Sequence, residues 1–398
     1  MGRAVVTATP RVRDVRAYVV GGGGGDYHDQ AADHWIDGQI ATPMSRYPEY
    51  RAHRSSFGIN LFGSLVVEVE SDDGQVGIGV SSGGVPAAYL VEQHLARFVE
   101  GKRVDQLELI WDQMWRGSLF YGRKGLALFA LSAVDLALWD LLGRTRQEPV
   151  YSLLGGAVRD ELALYATGPR PDVAKELGFV GGKVPLVHGP AEGDEGLRRN
   201  LEQAEELGQL ADDGFFLAYD CWMALDVDYA SRLGRAVRPL GFRWIEECLP
   251  PDDYWGYAEL RRRAPDGLWI TTGEHEFGRQ GFRMLIDMGC CDVVQPDVNW
   301  CGGLTELLKI SAYADAHGKL VIPHGSSVYS YHFMMTRVDA PFAEFLVMSP
   351  DGTEIVPMFT PLLVDEPAPE RGRIKLSDRA GFGVDVNRDL PLERPFPH

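Results

Sequence analysis

The stretch from residue 215 to 324 constrains this chain more than any other. Five short apolar runs in it, 215–220, 242–247, 268–274, 292–297 and 319–324, read as strands. Each carries at its end a residue able to bind a metal ion or move a proton: Asp220, Glu246, Glu274, Asp297 and His324. These ends lie 26, 28, 23 and 27 residues apart. A strand, a helix and two loops take roughly that length in a (β/α)8 barrel of about 250 residues. Such a barrel places its chemistry at the C-terminal ends of its strands, so the five side chains should converge on one mouth. Three successive carboxylates there suit a hard divalent cation, most simply Mg²⁺, which prefers oxygen ligands. Asp297 and His324 would then be an orienter and a base. A plainer explanation is that each acid caps the helix after its strand, a common role for Asp. Glu is a poor cap and occupies two of the five positions, which favours a shared site.

The rest of the chain fits around this ladder. Residues 11–20 read as a strand, followed by five glycines at 21–25. Without the Lys-Ser/Thr of a P-loop these glycines make no phosphate cradle. Residues 26–56 hold His28, His34, Trp35, Tyr47, Tyr50, His53 and Arg54 with little periodicity, as expected of a lid or binding loop. Strands at 60–70 and 76–80 make a hairpin, and 87–100, 104–116 and 124–143 read as helices. That is an α+β layer. From residue 162 strands alternate with helices, starting with 162–166 and 181–185 and ending at 343–346. The expected organisation is a capping domain over 1–156 with a lid at about 21–56, completed by about 362–398, and a barrel over 157–361. Residues 381–384 form a last turn that would pack back on the first domain.

A chain of 398 residues with 45% hydrophobic and 24% charged residues is ordinary for two globular domains. No apolar run reads as long enough to span a bilayer, and the first residues never build a signal-peptide core, so a cytoplasmic location is expected. The five cysteines show no C-x-x-C pair, which argues against a zinc site or a disulfide framework. Cys221 and Cys248 are expected to be buried packing. A net charge of −18 argues against nucleic acid and anionic membranes as partners. A carboxylate substrate would need local cations to offset it.

At residues 137–143 (Ala-Leu-Trp-Asp-Leu-Leu-Gly) and 149–156 (Pro-Val-Tyr-Ser-Leu-Leu-Gly-Gly) the chain resembles the enolase superfamily. The acid ladder matches its mandelate racemase branch. This resemblance implies an α/β fold, a modified (β/α)8 TIM-type barrel with an α+β N-terminal capping domain. It puts one Mg²⁺ per chain on Asp220, Glu246 and Glu274, and the catalytic dyad on Asp297 and His324. Residues 24–30, 244–251, 272–275, 295–303 and 323–330 are similar, more narrowly, to the L-rhamnonate dehydratase family, over nearly the whole chain. That likeness implies an acid-sugar substrate, lid contacts from His28 and Arg54, and a homo-oligomer, an octamer. Many relatives end the second barrel strand in Lys-x-Lys. Here it reads Lys183-Val184-Pro185, so a second base is missing and single-base elimination on the His324 side fits better than racemisation.

The implied reaction is dehydration of a sugar acid, L-rhamnonate to 2-keto-3-deoxy-L-rhamnonate. Mg²⁺ would stabilise the enediolate as His324 takes the C2 proton. Asp297 would fix the tautomer, and the 3-hydroxyl would leave with the proton returned by His324. Lys183 could bind the substrate carboxylate. Glu344 could hydrogen-bond the substrate or simply be buried against a cation, and His275 should line the pocket. Glu247 could compete with Glu246 as a ligand, although adjacent strand residues point opposite ways. Related acids such as L-mannonate or L-lyxonate are alternative substrates. A two-metal isomerase would need more ligands than the sequence offers, and a noncatalytic metal-binding protein would have no use for His324.

Overall fold

Two sheets organise the computed structural model, which describes residues 9–20, 34–37, 40–51, 62–325 and 327–398. The first is antiparallel, with β1 (Val12–Val20) beside β2 (Ser64–Ser71) and β2 beside β3 (Val76–Ser82). Its free edge is closed by Leu392–Glu393, which pairs antiparallel with Val19 and Val20. Against this sheet lie α1 (Gly84–Leu90), which continues through a π turn into α2 (Ala96–Val99), α3 (Leu107–Ser118) and α4 (Leu126–Arg146).

Helix α4 is apolar on all sides and is buried on nearly all of them, as that pattern requires. By length and composition it could cross a membrane, so the sequence does contain an apolar run of that length. Burial between β2, β3 and the barrel accounts for it instead: this is the core helix of the layer. It approaches β3 unusually closely because of two glycines. A Cβ on Gly77 would stand 2.1 Å from the Ala137 carbonyl oxygen, and one on Gly79 would stand 2.0 Å from that of Ala133. Asp140, buried on α4, accepts from the backbone N–H groups of Ile78 and Phe382 and from Arg144. It thereby ties the hairpin, the helix and the C-terminal turn together.

The second sheet curls into the barrel. Its parallel strands are β4 (Leu162–Thr167), β5 (Gly181–Pro185), β6 (Phe216–Asp220), β7 (Phe242–Glu246), β8 (Trp269–Thr272), β9 (Val293–Val294), β10 (Leu320–Val321) and β11 (Ala343–Leu346). Pairing runs β10-β9-β8-β7-β6-β5-β4-β11, and no pairing among the described residues joins β10 to β11. The helices that follow α4 are α5 (Val150–Leu153), α6 (Pro171–Glu176), α7 (Gly193–Gly208), α8 (Val227–Val237), α9 (Tyr254–Arg263), α10 (Gly278–Asp287), α11 (Gly303–Ala316) and α12 (Val328–Met334). Below the mouth the barrel is filled by Tyr165, Phe216, Trp244, Trp269 and Phe342, with the Arg243 guanidinium 4.4 Å over the Trp269 ring. This is the expected architecture, a TIM-type barrel with an α+β capping layer. All five cysteines are buried free thiols.

Three strands are shorter than the sequence suggests. Only Asp220 and Glu246 are true strand ends. Glu274, Asp297 and His324 stand two or three residues beyond β8, β9 and β10. The cause is local: Gly273 adopts φ 130°, and Pro296 and Pro323 have no N–H to continue a ladder.

Candidate active site

Asp220 and Glu246 face each other across β6 and β7 as register partners. Asp220 accepts from the Trp222 backbone N–H at 3.2 Å. Beyond it the chain turns sharply, with Trp222 at φ 37° and Met223 at φ 65°, a costly conformation for side chains of that size. Glu246 is buried and accepts from Gln295 Nε2 at 2.7 Å, from Trp244 Nε1 at 3.1 Å and from Lys183 Nζ. Burial raises its carboxyl to about 8, with neighbouring Asp220 and Glu344 adding to the effect against the pull of Lys183. Glu274 is also raised, chiefly by burial, and its Oε2 is buried without a hydrogen-bond partner.

The dyad is formed. His324 Nδ1 lies 2.9 Å from Asp297 Oδ2, and His324 Nε2 lies 3.4 Å from Glu274 Oε1. The other Asp297 oxygen, Oδ1, accepts from the Asn299 backbone N–H at 2.6 Å. Burial lowers the His324 imidazole, but Glu274, Asp297 and Glu344 outweigh it and raise it to about 10.

Glu247 points differently from Glu246. With φ 43°, it gives both its oxygens to His275: Oε2 lies 2.7 Å from Nδ1 and Oε1 accepts from the backbone N–H at 3.1 Å. His275 Nε2 is then 3.8 Å from Glu274 Oε1. Burial lowers this imidazole too, yet Glu247 and Glu274 raise it to about 9. A row of rings crosses the mouth, with centroids 5.6 Å apart from Trp222 to His275, 5.5 Å from His275 to Trp300 and 5.5 Å from Trp300 to His324. Donor atoms of Glu247, Glu274 and His275 gather within 4.8 Å of one another. Asp220, Glu246 and Glu274 are less closely drawn together, because Glu246 is turned onto Lys183, Trp244 and Gln295.

Lys183 is fully buried, with its ammonium on Glu246 and 2.9 Å from Glu344 Oε1. Burial works against its charge, and the surrounding carboxylates raise it well above the ordinary lysine value. Here it neutralises acids inside the barrel rather than standing free for a substrate. Glu344 also accepts from Thr167 Oγ1 and, at 2.9 Å, from the Gly325 N–H. Burial would raise Glu344, but Lys183, His324 and Thr167 hold it at about 2. Glu344 is thus an ionised carboxylate buried against cations. His28 and Arg54 lie outside the described residues. The described parts of the segment expected to be a lid, 34–37 and 40–51, dock on the barrel: Trp35 Nε1 donates to Val347 O at 3.0 Å and the Ala41 N–H to Leu186 O at 2.7 Å.

Sequence reasoning passed over Gln295, Thr167, Asn299 and Trp300. Glu247 as a partner of His275 had no signal, because its backbone twist is not written in residue type.

Residues 172–390 match the family model Enolase C-terminal domain-like, and residues 52–155 match Mandelate racemase / muconate lactonizing enzyme, N-terminal domain. The chain belongs to the enolase superfamily. Its place there is the mandelate racemase branch. Among solved enolase-superfamily structures it is similar to rhamnonate dehydratase from Gibberella zeae complexed with Mg, with 46% identity over 96% of each chain and a TM-score of 0.93. It also resembles a racemase from Streptomyces coelicolor A3(2) with bound magnesium, at 25% identity over 95% of this chain and 98% of that one, TM-score 0.75. L-talarate/galactarate dehydratase from Salmonella typhimurium LT2, liganded with Mg and L-lyxarohydroxamate, shares the enolase-superfamily fold at 22% identity over 99% of this chain and 95% of that one, TM-score 0.78.

Proposed function

We propose that this enolase-superfamily member is an Mg²⁺-dependent hydro-lyase that dehydrates an acid sugar, L-rhamnonate, to its 2-keto-3-deoxy acid. The observation that carries the reading is the His324–Asp297 dyad set with Nε2 beside Glu274. The 46% identity to a rhamnonate dehydratase over nearly the whole chain supports the substrate class.

Asp220, Glu246 and Glu274 would hold the cation. The fit rests on three hard oxygen donors, an orphaned buried oxygen on Glu274 and carboxyls raised by burial and mutual crowding. When bound, the ion supplies positive charge that acidifies the C2 proton of a carboxylate substrate and relaxes the carboxylates' hold on the His324 proton.

Neutral His324 then takes the C2 proton on Nε2, and the C2–H electrons move into the carboxylate. Asp297 holds Nδ1–H and favours the imidazolium that results. The electrons return as the C3–O bond breaks, and His324 gives its proton to the departing hydroxyl, which leaves as water. The enol tautomerises to the 2-keto-3-deoxy acid. Lys183 keeps Glu246 and Glu344 charge-compensated inside the barrel. His275, aimed by Glu247, contacts the substrate, as do His28 and Arg54 from the lid. The protein acts as a homo-oligomer, which light scattering would test.

The test is to incubate purified protein and Mg²⁺ with a panel of acid sugars and to measure 2-keto-3-deoxy acid formation. Turnover of L-rhamnonate, with L-mannonate and L-lyxonate slower, is expected. No turnover of any six-carbon or five-carbon acid sugar, with magnesium bound, would overturn the reading.

A further inference from the structure

The loop after Asp297 is gripped by the capping layer along its length. Asn299 Nδ2 donates to the Val80 carbonyl at 2.7 Å, and the Asn299 carbonyl accepts from Ser81 Oγ at 2.6 Å. Trp300 Nε1 donates to Ser82 Oγ at 3.1 Å. Further on, the Gly302 N–H donates to Ser132 Oγ at 3.0 Å and the Thr305 N–H to Asp135 Oδ2 at 2.9 Å. Three successive residues at the end of β3 and two on α4 thus hold one barrel loop and the first turn of α11.

Asn299 is the member of this seam that also reaches the dyad. Its backbone N–H fixes the Asp297 oxygen that His324 does not use, so the carboxylate cannot rotate freely. Its side-chain Oδ1 accepts from Ser327 Oγ at 3.1 Å. Ser327 caps α12, and Gly325, just ahead of it, follows His324 directly. One buried amide therefore joins the capping strand, the loop of the dyad acid and the loop of the dyad base.

We infer that Asn299 is a positioning residue, whose side chain sets the His324–Asp297 dyad in register with the capping domain. The inference rests on the reading of His324 as the proton-transferring base. Both polar ends of the amide are used, one on each side of the domain seam. A shift of about 1 Å in such a base costs on the order of 100-fold in rate, so small losses of register should be visible.

The experiment compares Asn299→Ala and Asn299→Asp with Ser132→Ala, which loosens the same seam away from the dyad. Steady-state kinetics on the acid sugar that wild type turns over fastest, Mg²⁺ affinity and melting temperature are read for each. Asn299→Ala should lower kcat by about 10–100-fold while KM and Mg²⁺ affinity stay within about threefold. A substrate deuterated at C2 should show a full isotope effect in that variant. Ser132→Ala should lower the melting temperature and keep kcat. Asn299→Asp keeps the acceptor for Ser327 and loses the donor to Val80, so it should lose kcat too, and it serves as the measure if the alanine variant does not fold. Unchanged kcat in the Asn299 variants, or a loss no greater than in Ser132→Ala, would overturn the inference and leave the dehydratase reading standing. An inactive wild type would remove both.

Discussion

His324 is held by acids on both sides, and with only protein charges around it the ring carries a proton well above neutral pH. Its proposed work as a base would therefore depend on how far the surrounding carboxylates are compensated. His324→Asn should lower dehydration by at least about 1,000-fold while leaving Mg²⁺ affinity close to wild type, as measured by activity and calorimetry. Full activity in that variant would sink the mechanism. Glu246→Gln should instead weaken Mg²⁺ binding and leave the dyad geometry intact; an unchanged affinity would place the ligand role elsewhere. At this scale the sequence was informative about identity and less so about contact. Asp297 and His324 could be paired from spacing and resemblance alone. That Lys183 spends its charge on Glu246 and Glu344, and that Glu247 turns to orient His275, depends on side-chain reach and on a left-handed backbone angle that residue types do not encode.

The strand–helix alternation of the barrel was legible because each strand is buried and apolar while each following helix is amphipathic. The strand ends were less so. Pro296 and Pro323 stop the ladder before the candidate residue arrives, which leaves Asp297 and His324 on loops. Helix α4 was legible as a helix, but its complete burial was not, because periodicity cannot show that a second surface covers the far side. Its fit to β3 depends on the missing side chains of Gly77 and Gly79. Gly79→Ala should cost about 2–4 kcal/mol in urea unfolding, since the new methyl meets backbone rather than a movable side chain. A cost below about 0.5 kcal/mol would mean that α4 can shift away from the sheet.

Across the whole molecule the capping layer and the barrel meet at buried polar groups, and these make stability depend on pH. Burial raises Asp135 to about 7, against the Thr305 N–H and Lys309, which pull it down. Burial likewise raises Glu366 to about 8, against the Phe359 N–H. A carboxyl raised by folding contributes its full stability below its unfolded value, near 4, and loses it as pH climbs through the folded value. Unfolding free energy should therefore fall between about pH 4 and pH 8. Asp135→Asn should remove part of that slope, gaining on the order of 2–4 kcal/mol over wild type at pH 8 and little at pH 4. A free-energy difference between Asp135→Asn and wild type that is the same at pH 4 and pH 8 in urea unfolding would show that Asp135 does not take up its proton on folding.

The same layer draws on distant parts of the chain. Its edge strand β1 pairs with Leu392–Glu393, and the buried Asp140 waits for the Phe382 N–H. On a ribosome, Asp140 emerges roughly ten to fifty seconds before Phe382 does, at about 5–20 residues per second. The layer synthesised first is thus the last to be completed, and a nascent chain must carry an open sheet edge and an acid short of one donor through the making of the entire barrel.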